Sequence, residues 1–207
     1  CAWTPVAPPA AMNPQIHNGS GLGVERLTDL LVFGFLQHSP SDKLQEELKG
    51  LGRTLPVPTG PQGPCEEELQ TDGSRCSHFV SEGRNRGSET QEDVIRNIAQ
   101  QLAQIGDMMD HRVSPSLVDH LVMQFRDRNL SEEGRRACLA TAVDQVLQAC
   151  PRDMEEEKTM LLVTMLLARK VASHTPSLLR TVFHTTVNFI NQNLPTYVRD
   201  LVRNEMD

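Results

Sequence analysis

Aromatic residues are scarce in this chain, with one Trp, one Tyr and six Phe among 207 residues. Sheets draw on aromatic and β-branched side chains for their cross-strand pairs. Leu, Val, Met and Ala, which supply most of the apolar surface here, favour helices instead. The expectation is an all-α chain. Cysteine is also thin: Cys1, Cys65, Cys76, Cys138 and Cys150 are odd in number and scattered, with no C-x-x-C pair and no His at metal-ligand spacing. Neither a disulfide framework nor a zinc module is expected, and reduced thiols in a cytosolic protein fit best. Positive charge is in the minority, 20 basic against 27 acidic residues, and no Lys/Arg block marks a nucleic-acid surface. The first basic residue is Arg26, so residues 1–25 lack the basic start of a signal peptide and the Arg-rich face of a transit peptide. Long apolar runs are missing as well. The uncharged stretch Thr159–Ala168 covers ten residues, below the roughly 20 that an independent transmembrane helix needs, so a soluble protein is expected.

What is present is helical punctuation. Residues 1–22 carry Pro5, Pro8, Pro9 and Pro14 among small residues and read as a disordered segment. The rest, 23–207, reads as one helical domain. Leu27, Leu30, Leu31, Val32, Phe33, Phe35 and Leu36 predict a buried helix over Val24–Gln37, and a shorter one follows from Asp42 to Lys49, stopped by Gly50. Over 52–87 the pattern breaks, with Pro56, Pro58, Pro61, Pro64, several glycines and the acidic run Glu66, Glu67, Glu68. A structureless segment of that length inside a small domain is usually a functional or regulated loop.

Five helical patterns follow. Ser88 with Gln91 reads as a capping box opening a helix over 88–110. A second helix carries Leu117, Val118, Leu121, Val122 and Phe125, and a third, capped by Ser131, carries Leu139, Ala142, Val143, Val146 and Leu147. Asp153 reads as the cap of the next, and Thr175 with Pro176 opens another that is uncharged apart from His184 between Thr181 and Val198. These last two, over 153–193, predict a central apolar hairpin around which the amphipathic helices wrap. Pro195 restarts a short terminal helix.

The helix over 88–110 carries the chemistry. Ile95, Ile98, Leu102, Ile105 and Met109 recur at steps of 3, 4, 3 and 4, so they share one face. Gly106 permits close helix approach and Asp107 supplies a fixed negative charge beside it. Such a stripe is most often plain core. It also suits insertion into a hydrophobic groove, with the large side chains in pockets and Asp107 meeting an arginine on the rim.

The core Leu102-Ala103-Gln104-Ile105-Gly106-Asp107 resembles the third homology (BH3) motif of the Bcl-2 family. The stretches Ser88–Asp110, Lys170–Arg180 and Val182–Asn193 look like the pro-apoptotic agonists of that family, and the likeness covers nearly everything from Met12 onward. The resemblance implies a Bcl-2-like eight-helix bundle with a long flexible loop, in which the groove-binding helix is partly masked until activation. As partners it implies Bax and Bak, the anti-apoptotic Bcl-2 relatives and the lipids of the mitochondrial outer membrane, with cytochrome c release as the outcome.

Leu69-Gln70-Thr71-Asp72-Gly73 lies in the predicted loop, where a protease can draw in extended chain without unfolding a helix. By itself Asp-Gly in a loop is usually a turn. The resemblance makes it an initiator-caspase site with cleavage after Asp72. The cut would expose Gly73 with Ser77 four residues later, the G-x-x-x-[ST] pattern for N-myristoylation. Residues 1–72 hold 4 basic and 9 acidic side chains, which leaves 20 − 4 = 16 against 27 − 9 = 18, so net charge changes from −7 to −2 if the fragments separate. That weakens repulsion from an anionic membrane surface. Thr71 and the Thr90-Gln91 pair are candidate phosphorylation sites, the latter because the resemblance implies a kinase site before the motif helix.

No H-E-x-x-H, no G-x-S-x-G and no glycine-rich phosphate loop is present, so no enzyme, cofactor or metal is expected. His174 and His184 read as a helix-cap residue and an interior residue. The competing reading is a helical scaffold or lipid-transfer protein whose apolar hairpin lines a cavity.

Overall fold

The computed structural model describes residues 23–55, 90–150 and 155–206. Among them run eight α-helices and no strand: α1 (Val24–Gln37), α2 (Asp42–Thr54), α3 (Gln91–Met109), α4 (Pro115–Arg126), α5 (Glu132–Ala149), α6 (Glu156–His174), α7 (Leu179–Asn193) and α8 (Pro195–Met206). The chain is all-α, as its shortage of aromatic side chains implies.

The architecture follows from α6. Every residue from Leu161 to Arg169 is buried, more than two full turns, so this helix has no solvent face over that span and must be surrounded. Helices α1, α2, α3, α4, α5 and α7 all pack against it. Its partner α7 buries Val182, Phe183, Thr185, Thr186, Val187, Phe189 and Ile190 and leaves His184 and Asn188 exposed. The remaining helix, α8, rests on α1, α3 and α7. A central hairpin, α6 and α7, is thus wrapped by the other six.

Local rules place the outer helices. Ser114 caps α4 by accepting the Leu117 N–H, with Pro115 at the first helical position, and Ser131 caps α5 by accepting the Gly134 N–H. At the α1–α2 corner the Gln45 amide donates to the carbonyls of Gln37 and Ser39, at 2.6 and 3.0 Å, which satisfies the open end of α1.

Several boundaries differ from the sequence reading. Helix α2 runs past Gly50 and Gly52 to Thr54. Leu44, Leu48 and Leu51 form one buried stripe there, and burying Leu51 outweighs the roughly 1 kcal/mol that each glycine costs a helix. Helix α3 begins at Gln91 with Thr90 as its cap, and Ser88 lies outside the described residues. Helix α6 begins at Glu156 with Glu155 at the cap position, and Asp153 also lies outside. After Thr175, Pro176–Leu178 form a 3₁₀ turn, and the α-helix starts only at Leu179. The segments read as disordered (1–22) and, from residue 56 on, as loop (to 87) fall outside the described residues, together with Leu69, Thr71, Asp72 and Gly73.

Candidate functional site

The site is built on α3. Its start is held by a reciprocal capping box between Thr90 and Asp93. The Asp93 N–H donates to Thr90 Oγ1, while the Thr90 hydroxyl and N–H both donate to Asp93 Oδ2, at 2.7 and 3.4 Å. These hydrogen bonds hold the Asp93 carboxyl below the usual carboxylate range, first through the Thr90 side chain and then through its backbone. Glu92 and Asp93 in the first turn also complement the helix dipole. The residue read as a phosphate acceptor, Thr90, is therefore an exposed helix cap.

Along the helix Ile95, Ile98, Leu102 and Met109 are buried, and Ile105 is only half-buried at the edge of the stripe. The face lies on α1 above all, then on α8 and α6. Small residues make that approach possible. A Cβ on Gly34 of α1 would lie 2.9 Å from Ala99 Cβ, and one on Gly106 would lie 3.0 Å from Phe35 Cζ. The first gap is closer than Cβ atoms come and the second leaves room for a methyl only if the Phe35 ring gives way, so α1 and α3 nest at two glycine positions, one on each helix.

The last turn of α3 and the turn after it carry a row of carboxylates that meet the C-terminal half of α6. Arg169 Nη2 donates to Asp107 Oδ1 at 2.6 Å, Lys170 Nζ to Asp110 Oδ2 at 2.8 Å, and His174 Nε2 sits 3.3 Å from Asp119 of α4. The Arg169 guanidinium also lies 5.0 Å from the centre of the Phe35 ring, within cation–π range. Gly106, Asp107, Phe35 and Arg169 thus form one cluster. A cleft of about 800 Å³ opens beside it, lined by Asp107, Asp110, Val113, Val118, Arg169 and Lys170 among others.

Sequence reading named Gly106 and Asp107 but passed over Phe35 and Arg169. For Arg169 a signal exists: it is the first charge after the uncharged stretch Thr159–Ala168 on a helix expected to be central, where an arginine needs a partner. Phe35 had no signal beyond apolarity. His174 ends α6, and His184 is exposed with its ring edge against Phe183. The interior position expected for His184 is thereby corrected: it lies on the outer side of α7. Among the described residues no group of His, Cys, Asp or Glu could hold a metal ion, and no helix is long and apolar enough to cross a membrane.

A family model described as BH3 interacting domain (BID) matches residues 14–204. A Mus musculus protein named BH3-interacting domain death agonist is 60% identical over 197 residues, 95% of this chain and 100% of its own length. A Gallus gallus protein of the same name is 38% identical over 184 residues, 87% of this chain and 95% of its own.

Proposed function

The chain belongs to the BH3 interacting domain (BID) family, and from that premise we propose that it is a pro-apoptotic, BH3-only death agonist, a regulator rather than an enzyme, whose working part is α3. The observation that carries this reading is the motif face itself. Ile95, Ile98, Leu102 and Met109, with Gly106 and Asp107 alongside, are already engaged in helix-against-helix packing on α1, α6 and α8. A face that fits one apolar helix surface at close range fits another, so the same residues can enter the groove of a Bcl-2 relative.

In this reading the intact protein resides in the cytoplasm with the face covered. An initiator caspase cuts after Asp72, with Leu69 on its recognition side, and Gly73 becomes the new N-terminus and is myristoylated. The C-terminal fragment then moves to the mitochondrial outer membrane, where α3 engages Bax, Bak and the anti-apoptotic relatives, and permeabilisation releases cytochrome c. A single acyl chain binds membranes only marginally, so the drop in net negative charge and the apolar hairpin support the association. The lipid-carrier alternative finds less support. The buried side chains of α6 and α7 pack into one core cluster, and the cleft beside α3 places Asp107, Asp110, Asp119, Arg169 and Lys170 among its lining residues, which an acyl chain would have to pass.

The test is release of a trapped dye from Bak-bearing vesicles of mitochondrial lipid composition, comparing intact protein, caspase-cut protein and cut Leu102→Ala. Release by the cut wild type alone is the expected result. Equal behaviour of all three would overturn the proposal.

A further inference from the structure

The ion pair between Asp107 and Arg169 is lopsided. The Arg169 side chain is 5% exposed and the Asp107 side chain 63%. Arg169 Nη1 is buried and has no hydrogen-bond partner among the described residues, so the guanidinium charge is compensated by Asp107, through Nη2, and by the face of Phe35. A buried guanidinium is tolerated only while it is paired. If α3 leaves, the pairing with Asp107 is lost and the helix that covers Arg169 goes with it, so both charges pass into water; if only the carboxylate is removed while α3 stays seated, Arg169 keeps a buried and uncompensated charge. The neighbouring pairs, Lys170 with Asp110 and His174 with Asp119, are more exposed, and such pairs contribute little.

Asp107 is also the carboxylate that the proposed function offers to a basic residue on a partner's groove. Helix α3 cannot lie on α6 and in a partner's groove at the same time, so Asp107 meets one basic residue or the other. We propose that Arg169 is this chain's internal stand-in for that basic residue, so that Asp107 is the switch point between a closed bundle, with α3 seated on α6, and an open state in which α3 is available to a partner. The inference deepens the proposed function and rests on it for the identity of the competing partner. The latch itself rests on the burial of Arg169. What opens it is whatever gives Arg169 water or another anion, and an α3 that is rarely free lowers apparent affinity in proportion.

The experiment is amide hydrogen exchange on the intact chain, comparing wild type, Asp107→Asn, Arg169→Met and the double variant. Exchange reports local opening helix by helix. Asp107→Asn leaves the buried charge unpaired and is expected to speed exchange in α3 by at least about tenfold, equivalent to about 1.4 kcal/mol, with α7 unchanged. Adding Arg169→Met removes the stranded charge and is expected to bring α3 back to within a few-fold of wild type. The latch is overturned if Asp107→Asn leaves α3 exchange unaltered, if the double variant stays as fast as the single one, or if α7 accelerates equally, which would make the pair a general fold element. Should the exchange pattern hold while the vesicle experiment fails, the latch stands and the partner reading falls.

Discussion

Helices α3 and α6 are each 19 residues long, yet they sit in the bundle in opposite ways. Helix α3 buries a stripe and shows solvent a polar face of Gln100, Gln101, Gln104 and Asp107, whereas α6 is buried all round from Leu161 to Arg169. Removing α3 exposes one apolar stripe and unpairs one arginine. Removing α6 unmakes the core, because six other helices rest on it. The difference teaches which part of a single-core protein can serve as a detachable ligand: a peripheral helix with one apolar face, docked through small residues and tied by charge. Its apolar contacts alone would make it ordinary core.

The comparison can be broken first with identical chemistry at the two places. Leu167→Ala in α6, at a site with no exposure, is expected to cost about 4–5 kcal/mol of global stability by denaturant unfolding, near the top of the range for buried leucines. Leu102→Ala in α3, on a helix at the outside of the bundle, is expected to cost about 3 kcal/mol and, unlike Leu167→Ala, to weaken partner binding directly. Equal costs with exchange spread over the whole chain would remove the distinction between the two helices. Gly106→Ala places a methyl against the Phe35 ring and is expected to destabilise the intact protein by about 1–3 kcal/mol, as overpacking does, with faster exchange confined to α1 and α3. No change in exchange there would mean that the close approach is not needed.

The smallest effect is at the cap. Thr90→Ala is expected to cost about 1 kcal/mol, visible as fraying of the first turn of α3. Because the Asp93 carboxyl is held below its ordinary range, its contribution to that turn is present above the unfolded-state value and is lost as pH falls through the lower folded value. Fraying should therefore increase in acid in the wild type and change much less with pH in Thr90→Ala. Parallel pH curves for the two proteins would show that the box contributes nothing.

Much of this molecule was readable in advance because its signals are local. The 3 and 4 spacing of Ile95, Ile98, Leu102 and Met109 marks one helical face wherever the helix lies, and Ser131 and Pro115 announce helix starts through hydrogen bonds within a single turn. The ends were less readable. Gly50 and Gly52 look like stops, but Leu51 between them is buried against other helices. The choice of Thr90 over Ser88 as cap depends on whether Asp93 or Gln91 answers it.

The sequence by itself determined the helical class, the order of the helices, the hairpin of low charge and the motif Leu102-Ala103-Gln104-Ile105-Gly106-Asp107, since each depends on spacing, propensity or identity along one stretch of chain. Tertiary structure alone decided that the motif is turned inward, that Gly106 faces Phe35 from 71 residues away, and that Asp107 meets Arg169 from 62 residues away. Contacts at such separations arise from how helices nest around a shared core, and periodicity within one helix says which face is apolar but not what that face will find.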